Sequence, residues 1–157
     1  MFKMQMALDQ HIESQHGLQN EDLFDKKVLA LLVELGELAN ETKCFKFWSL
    51  KPPSPQSIIL EEFVDGVHFM LSLGIECGFN HIEDISSNDI EGNLSEQFLR
   101  VYETVQAFRL ERSLETYKNM FQNYLNLASI LGFKDEEIKT AYISKNEVNY
   151  KRQEEGY

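Results

Sequence analysis

Apolar residues recur in this chain at intervals of three and four almost from end to end, and that periodicity constrains the fold more than any other feature. Phe24, Val28, Leu31, Leu32, Leu35, Leu38 and Ala39 form one stripe, on a helix expected from about Asp22 to Phe47. The stretch Lys51-Pro52-Pro53-Ser54-Pro55 interrupts it. Ser54 is expected to cap the next helix with Pro55 in its first turn, where a missing N–H costs nothing. That helix carries Ile58, Ile59, Phe63, Val67, Met70 and Leu71, with Gly78 as its stop. Further stripes run through Leu94, Phe98, Val101, Val105 and Phe108, and through Leu114, Tyr117, Phe121, Leu125, Ala128 and Leu131 up to Gly132. Asp135 is expected to cap a last helix that runs through Ile138, Ala141 and Tyr142 toward Arg152. A short amphipathic helix from Met4 to Ile12 opens the chain, and the polar stretch 80–93 reads as a loop or short turns. Sustained period-two alternation and internal repeats are both missing. The expected fold class is therefore all-α, a compact bundle of five or six helices forming one domain over residues 1–157.

A chain of 157 residues can bury roughly 70% of its unfolded surface and needs no disulfide or structural metal to fold. Its two cysteines, Cys44 and Cys77, form no CxxC pair, and HExxH is absent, so they read as reduced thiols. The longest wholly apolar run, Val28 to Val33, is far short of the ~20 residues that span a bilayer. Asp9, His11 and Glu13 interrupt any signal-peptide core, so a cytoplasmic protein with no membrane partner is expected. A formal charge of −11 argues against nucleic acid as a bulk polyanion. A triphosphate remains compatible if divalent cations stand between it and the acids.

The positions of those acids are informative. Glu34, Glu37 and Glu41 follow one another at three and four, which puts them on one face of their helix. Glu62 and Asp65 repeat the spacing on the next helix, and the short Pro-rich break makes the two helices antiparallel neighbours. Four carboxylates, Glu34, Glu37, Glu62 and Asp65, can then meet between facing helices. Core residues flank each pair, so the acids are expected to be partly buried and to need cations. Oxygen-only donors select a hard ion, Mg²⁺ or Mn²⁺ in its place. Such an ion keeps open positions for phosphate oxygens and suits phosphoanhydride hydrolysis. A single ExxE is equally compatible with a solvated acidic face; the repetition on consecutive helices, both beside apolar stripes, gives the metal reading its weight.

Phe45-Lys46-Phe47-Trp48 closes the first of these two helices, and Trp48 fits core or interface as well as ligand contact. His68 and Phe69 follow Asp65 by three and four residues, one turn from the acidic face; Phe69 is either core or a stacking surface for a base or deoxyribose. Lys145, Asn149 and Arg152 share one face of the last helix, in the one locally basic segment of the chain. They read either as a helix end complementing its dipole or as a phosphate clamp.

Taken in order, Glu34-Leu-Gly-Glu37, Phe45-Lys46-Phe47-Trp48-Ser49, Glu62-Phe-Val-Asp65 and Lys145-Asn146-x-x-Asn149-x-x-Arg152-Gln153-x-x-Gly156-Tyr157 resemble the dimeric, all-α dUTPase family. That family belongs to the all-α nucleotide pyrophosphatases, whose signature is ExxE followed by ExxD; here positions 38–61 separate the two. The resemblance covers nearly the whole chain, and its C-terminal motif is the most specific part. It implies that Glu34, Glu37, Glu62 and Asp65 hold magnesium, with Glu34 or Glu37 orienting the water that attacks dUTP. The products would be dUMP and pyrophosphate, with dUDP as a further substrate. Trp48, His68 and Phe69 would line the base and sugar pocket, and Gln5 and Asp9 would read the uracil edge. Lys145, Asn149, Arg152 and Tyr157 would bind phosphates and close over them. A homodimer, or an assembly of dimers, with shared active sites is also implied. The alternatives are a sister pyrophosphatase acting on another nucleotide such as dCTP, and a non-enzymatic helical adaptor with an acidic groove.

Overall fold

The computed structural model describes residues 1–82 and 85–157. It contains six helices: α1 (Phe2–His16), α2 (Phe24–Thr42), α3 (Gln56–Glu76), α4 (Leu94–Leu110), α5 (Leu114–Leu131) and α6 (Asp135–Glu154). Among the described residues there is no strand, and no helix is long and apolar enough to cross a membrane. The described part of 80–93 has no helix, in keeping with its polarity; Glu83 and Asp84 lie outside the described residues.

The helix limits follow local chemistry, and those of α1, α2, α3 and α6 differ from expectation. α2 stops at Thr42 instead of Phe47 because Lys43 turns left-handed (φ 55°). The Thr42 hydroxyl donates to the Ala39 carbonyl at 2.8 Å and accepts from the Cys44 amide at 3.3 Å, offering the backbone an exit from the helix. The aromatic run Phe45–Trp48 therefore lies in the turn beyond. Ser54 does not cap α3: its amide and hydroxyl both bond to Glu41, and Pro55 takes the N-cap position. α1 is longer than expected and ends at Gly17 in the left-handed conformation (φ 66°). α4 and α5 are capped by Asn93 and Ser113; α6 is not capped by Asp135, which is its first residue and accepts from the Ser87 hydroxyl, but by the Glu137 carboxylate, which accepts from the Lys134 amide at 2.8 Å.

α2 and α3 run antiparallel. Lys27 at the start of α2 reaches Glu76 at the end of α3 (2.8 Å), while Glu41 at the far end of α2 meets Ser54 just before α3. α3 is the central element, packed against α1, α2, α5 and α6, with Phe63, Val64, Val67, Met70, Leu71 and Leu73 buried. Two tyrosines of α5 fix its position through gaps left by glycine. Tyr124 donates to the Phe63 carbonyl (2.6 Å) over Gly66, and Tyr117 donates to the Met70 carbonyl (2.8 Å) beside Gly74. A methyl group on Gly66 would come within 2.0 Å of the Tyr124 hydroxyl. Gly66→Ala is therefore expected to destabilise the protein by about 1–3 kcal/mol, the usual cost of overpacking. It should also shift the neighbouring Asp65. Urea unfolding checks the first effect; an unchanged midpoint would contradict the packing described.

Candidate active site

Glu34 from α2 and Glu62 and Asp65 from α3 converge, with one carboxylate oxygen of each lying within 4.8 Å of the others. All three are half-buried. The antiparallel pairing of α2 and α3 brings them opposite, and the buried Leu35, Phe63 and Val64 at neighbouring positions hold the backbones close. Glu37, one turn beyond Glu34, is exposed and lines a groove with Glu62, Gly36 and Asn40. The expected four-carboxylate site is thus three converging acids with a fourth at the rim.

Their electrostatics are those of acids forced together. Burial pushes the Glu34 carboxyl up to about 7, aided by the charges of Asp65 and Glu37, a hydrogen bond with Glu37, and the charge of Glu62. Glu62 is raised by burial first and then by Asp65 and Glu37. Asp65 is raised by burial, against the opposing pull of Lys145. A donor set of carboxylate oxygens alone, too crowded for all members to ionise comfortably, fits a hard divalent cation.

α6 faces these acids with its basic side. Lys145 Nζ lies 2.9 Å from Glu61 Oε1 and 2.9 Å from Asp65 Oδ2. Asn149 and Arg152 follow at one and two turns, both half-buried, and the Arg152 charge acts on Asp65. Gly156 (φ 77°) turns the chain back so that the Tyr157 amide donates to the Arg152 carbonyl (2.9 Å), and the guanidinium lies 5.2 Å from the Tyr157 ring. Lys145 is thus set at the carboxylates, with Asn149 and Arg152 following along the same helix. Lys145 is paired with one acid of the cluster, Asp65, and with Glu61 beside it.

On the other side of Asp65 lies a buried polar network. Asp9 accepts from Gln5 Nε2 (2.8 Å) and from the Ser72 hydroxyl (2.7 Å). Gln5 Oε1 accepts from His68 Nδ1 (2.7 Å) and from the Tyr142 hydroxyl (2.9 Å). The Tyr142 ring stacks on His68 with centroids 4.4 Å apart. Burial, with the charge of Lys145, lowers the His68 imidazole to about 4. Gln5, Asp9 and His68 are therefore brought together, while Phe69 is half-buried against the core. Trp48 stands apart, 65% exposed and meeting Phe45 and Phe47 edge-on. Sequence reasoning missed Ser72 and Tyr142. A signal was present for the first: Gln5 and Asp9 on α1, and His68 and Ser72 on α3, are two polar pairs each spaced by four. Tyr142 was hidden as an ordinary member of an apolar stripe.

A family model described as dUTPase matches residues 1–157. None of the curated proteins compared with the chain matches it. With carboxylates converging between two antiparallel helices, basic residues of α6 set against them and a family match over the full length, the chain belongs to the all-α dUTPase family and is a dUTP diphosphatase.

Proposed function

We propose that this dUTPase hydrolyses dUTP to dUMP and pyrophosphate with Mg²⁺, or Mn²⁺ in its place, and accepts dUDP as a further substrate. The observation that carries the reading is the convergence of Glu34, Glu62 and Asp65, with Glu37 at the rim, opposite Lys145 and Arg152. Glu34, Glu37, Glu62 and Asp65 would hold the metal, which when bound offsets the charge of the phosphates and of the leaving oxygen. Glu34, whose carboxyl sits near neutrality, would orient the attacking water and take its proton as the anhydride bond to pyrophosphate breaks. Glu37 is the second candidate for that role. Lys145, Asn149, Arg152 and Tyr157 would bind phosphate oxygens. Gln5, Asp9, His68 and Phe69 would form the base and sugar side, and Trp48 would join them on closure.

Pyrophosphate release from a panel of nucleotides, with and without Mg²⁺, tests this reading. Release is expected from dUTP only with the metal present. Preferential hydrolysis of dCTP would favour the sister-enzyme alternative, and metal-independent behaviour would favour the adaptor.

We further propose that a single domain spans residues 1–157 and that it assembles as a homodimer, or as dimers of dimers, with shared active sites, in the cytoplasm and without a nucleic-acid or membrane partner. The support for assembly is the cluster of Phe47 (93% exposed), Trp48 and the fully exposed Leu50 after α2, more apolar surface than one small bundle leaves uncovered without cause. Light scattering should show no monomer at micromolar concentration; full activity in a monomer would sink the proposal.

A further inference from the structure

Lys145 reaches the acidic cluster from its edge and is nearly covered there, with 10% of its side chain exposed. Two of the three N–H bonds of its ammonium go to carboxylates one turn apart on α3, Glu61 Oε1 and Asp65 Oδ2, each at 2.9 Å. The two acceptors differ in their surroundings. Asp65 is 20% exposed and is one of the three acids whose oxygens converge. Glu61 is 52% exposed and is not among those three.

This pairing bears on any cation that enters. Asp65 meets a metal ion with an ammonium already bonded to one of its oxygens. The two positive charges repel each other, and in a half-buried site water screens that repulsion less than it would in the open. Lys145 can relieve it by leaving Asp65. An ammonium released without an acceptor in a nearly covered position is costly, however. Glu61 removes that cost, because it is already in contact with the same Nζ and stands nearer the solvent.

We propose that Glu61 is a positioning residue for Lys145: it holds the ammonium when a divalent ion takes Asp65, and so keeps the lysine paired beside the cluster until phosphate oxygens claim it. The inference rests on the reading that Glu34, Glu37, Glu62 and Asp65 hold the metal. Glu61 acts through Lys145 and hardly on the ion itself, since its own charge is half exposed and screened by water and salt. Lys145 in turn has two effects of opposite sign. With nucleotide it supplies positive charge to the phosphates; without nucleotide it opposes the metal, and Glu61 moderates that opposition.

The test is Mn²⁺ binding to the full chain without nucleotide, followed by the EPR signal of the free ion at physiological ionic strength. Lys145→Met, which keeps the apolar stem, should bind Mn²⁺ about tenfold more tightly than the wild type. Glu61→Gln should bind it roughly fivefold more weakly, because Lys145 is then left to Asp65 alone. Glu61→Asp, which keeps the charge, should recover part of the loss. Combined with Lys145→Met, Glu61→Gln should change the affinity by less than about twofold, since the group it acts through is gone. Both positions tolerate these changes on packing grounds: Glu61 is half exposed and methionine replaces the lysine stem. An equal loss from Glu61→Gln with and without Lys145 would overturn the proposal, because Glu61 would then be an ordinary charge near the ion. No loss from Glu61→Gln in the otherwise wild-type chain would overturn it too. A wild type that binds Mn²⁺ no better than Glu62→Gln does would instead overturn the reading of the carboxylates on which the proposal rests.

Discussion

Glu62→Gln is expected to lower dUTP turnover by roughly a thousandfold or more while leaving the protein folded. Glu34→Gln, Glu37→Gln and Asp65→Asn should behave alike. The loss follows from the geometry: Glu34, Glu62 and Asp65 converge so closely that each neutral amide removes one of few anionic donors. The fold should survive, because these acids repel one another without a metal and removing one relieves that repulsion. The sign of the pH dependence supplies a check independent of activity. Glu34 is raised from 4.5 to about 7, so the folded form holds a proton that the unfolded chain has released. Its contribution to stability is fully present below about pH 4.5 and is lost as pH rises through about 7. Thermal melts of the metal-free protein should therefore show a midpoint falling across that window, with Glu62 and Asp65 contributing in the same direction. Glu34→Gln should flatten the fall. Near-normal turnover in Glu62→Gln, or a wild-type midpoint that climbs over the same window, would remove these residues from the assignment.

Deleting residues 149–157 is the second large effect. It should cut kcat/KM for dUTP by orders of magnitude and move the melting midpoint of the ligand-free protein by little. α6 is helical to Glu154, but past Asn149 it buries no side chain fully. Its ties to α1 are an exposed contact between His16 and Gln153 (3.1 Å) and a tilted ring pair of His11 and Tyr150. Such ties stabilise weakly, and ordering a chain end costs roughly 1–2 kcal/mol per residue. Phosphates bridging Arg152 and Lys145 would tip that balance. They would close the tail over the substrate, exclude bulk water and strengthen each charge contact. Hydrogen exchange should show amides of 149–157 protected only with Mg²⁺ and a non-hydrolysable dUTP analogue. Full protection in the free protein, unchanged on binding, would make this segment an ordinary helix end.

Much of this was legible in the sequence because it depends on near neighbours along the chain. Stripes at three and four give the helices, Gly132 stops one of them, and acids at i and i+3 beside core residues locate the carboxylates. What was not legible depends on partners far apart in sequence. Nothing in the sequence around Lys145 shows that Glu61 and Asp65, some eighty residues earlier, are its ion-pair partners in the folded chain. Gly66 and Gly74 make room for Tyr124 and Tyr117, which lie some fifty residues further along the chain. The early end of α2 was missed because Phe45, Phe47 and Trp48 continue its apolar character, whereas the backbone obeys Thr42 and Lys43.

α1 gives the molecule a graded character. It buries fully only Gln5 and Leu8, and it is tied to α3 and α6 by hydrogen bonds and to Lys27 of α2 through Glu13. With few fully buried side chains to hold it, α1 is expected to detach in openings short of global unfolding. Yet it carries Gln5 and Asp9, which orient His68. With these residues on the base side of the site, as proposed, discrimination between bases would be available only to the fraction of molecules in which α1 is docked. By mass action, a nucleotide that requires the docked form draws the population toward it. Part of the intrinsic affinity for the correct base would then go to securing the enzyme's own first helix, and warming should erode fidelity before it loosens the carboxylates held between α2 and α3.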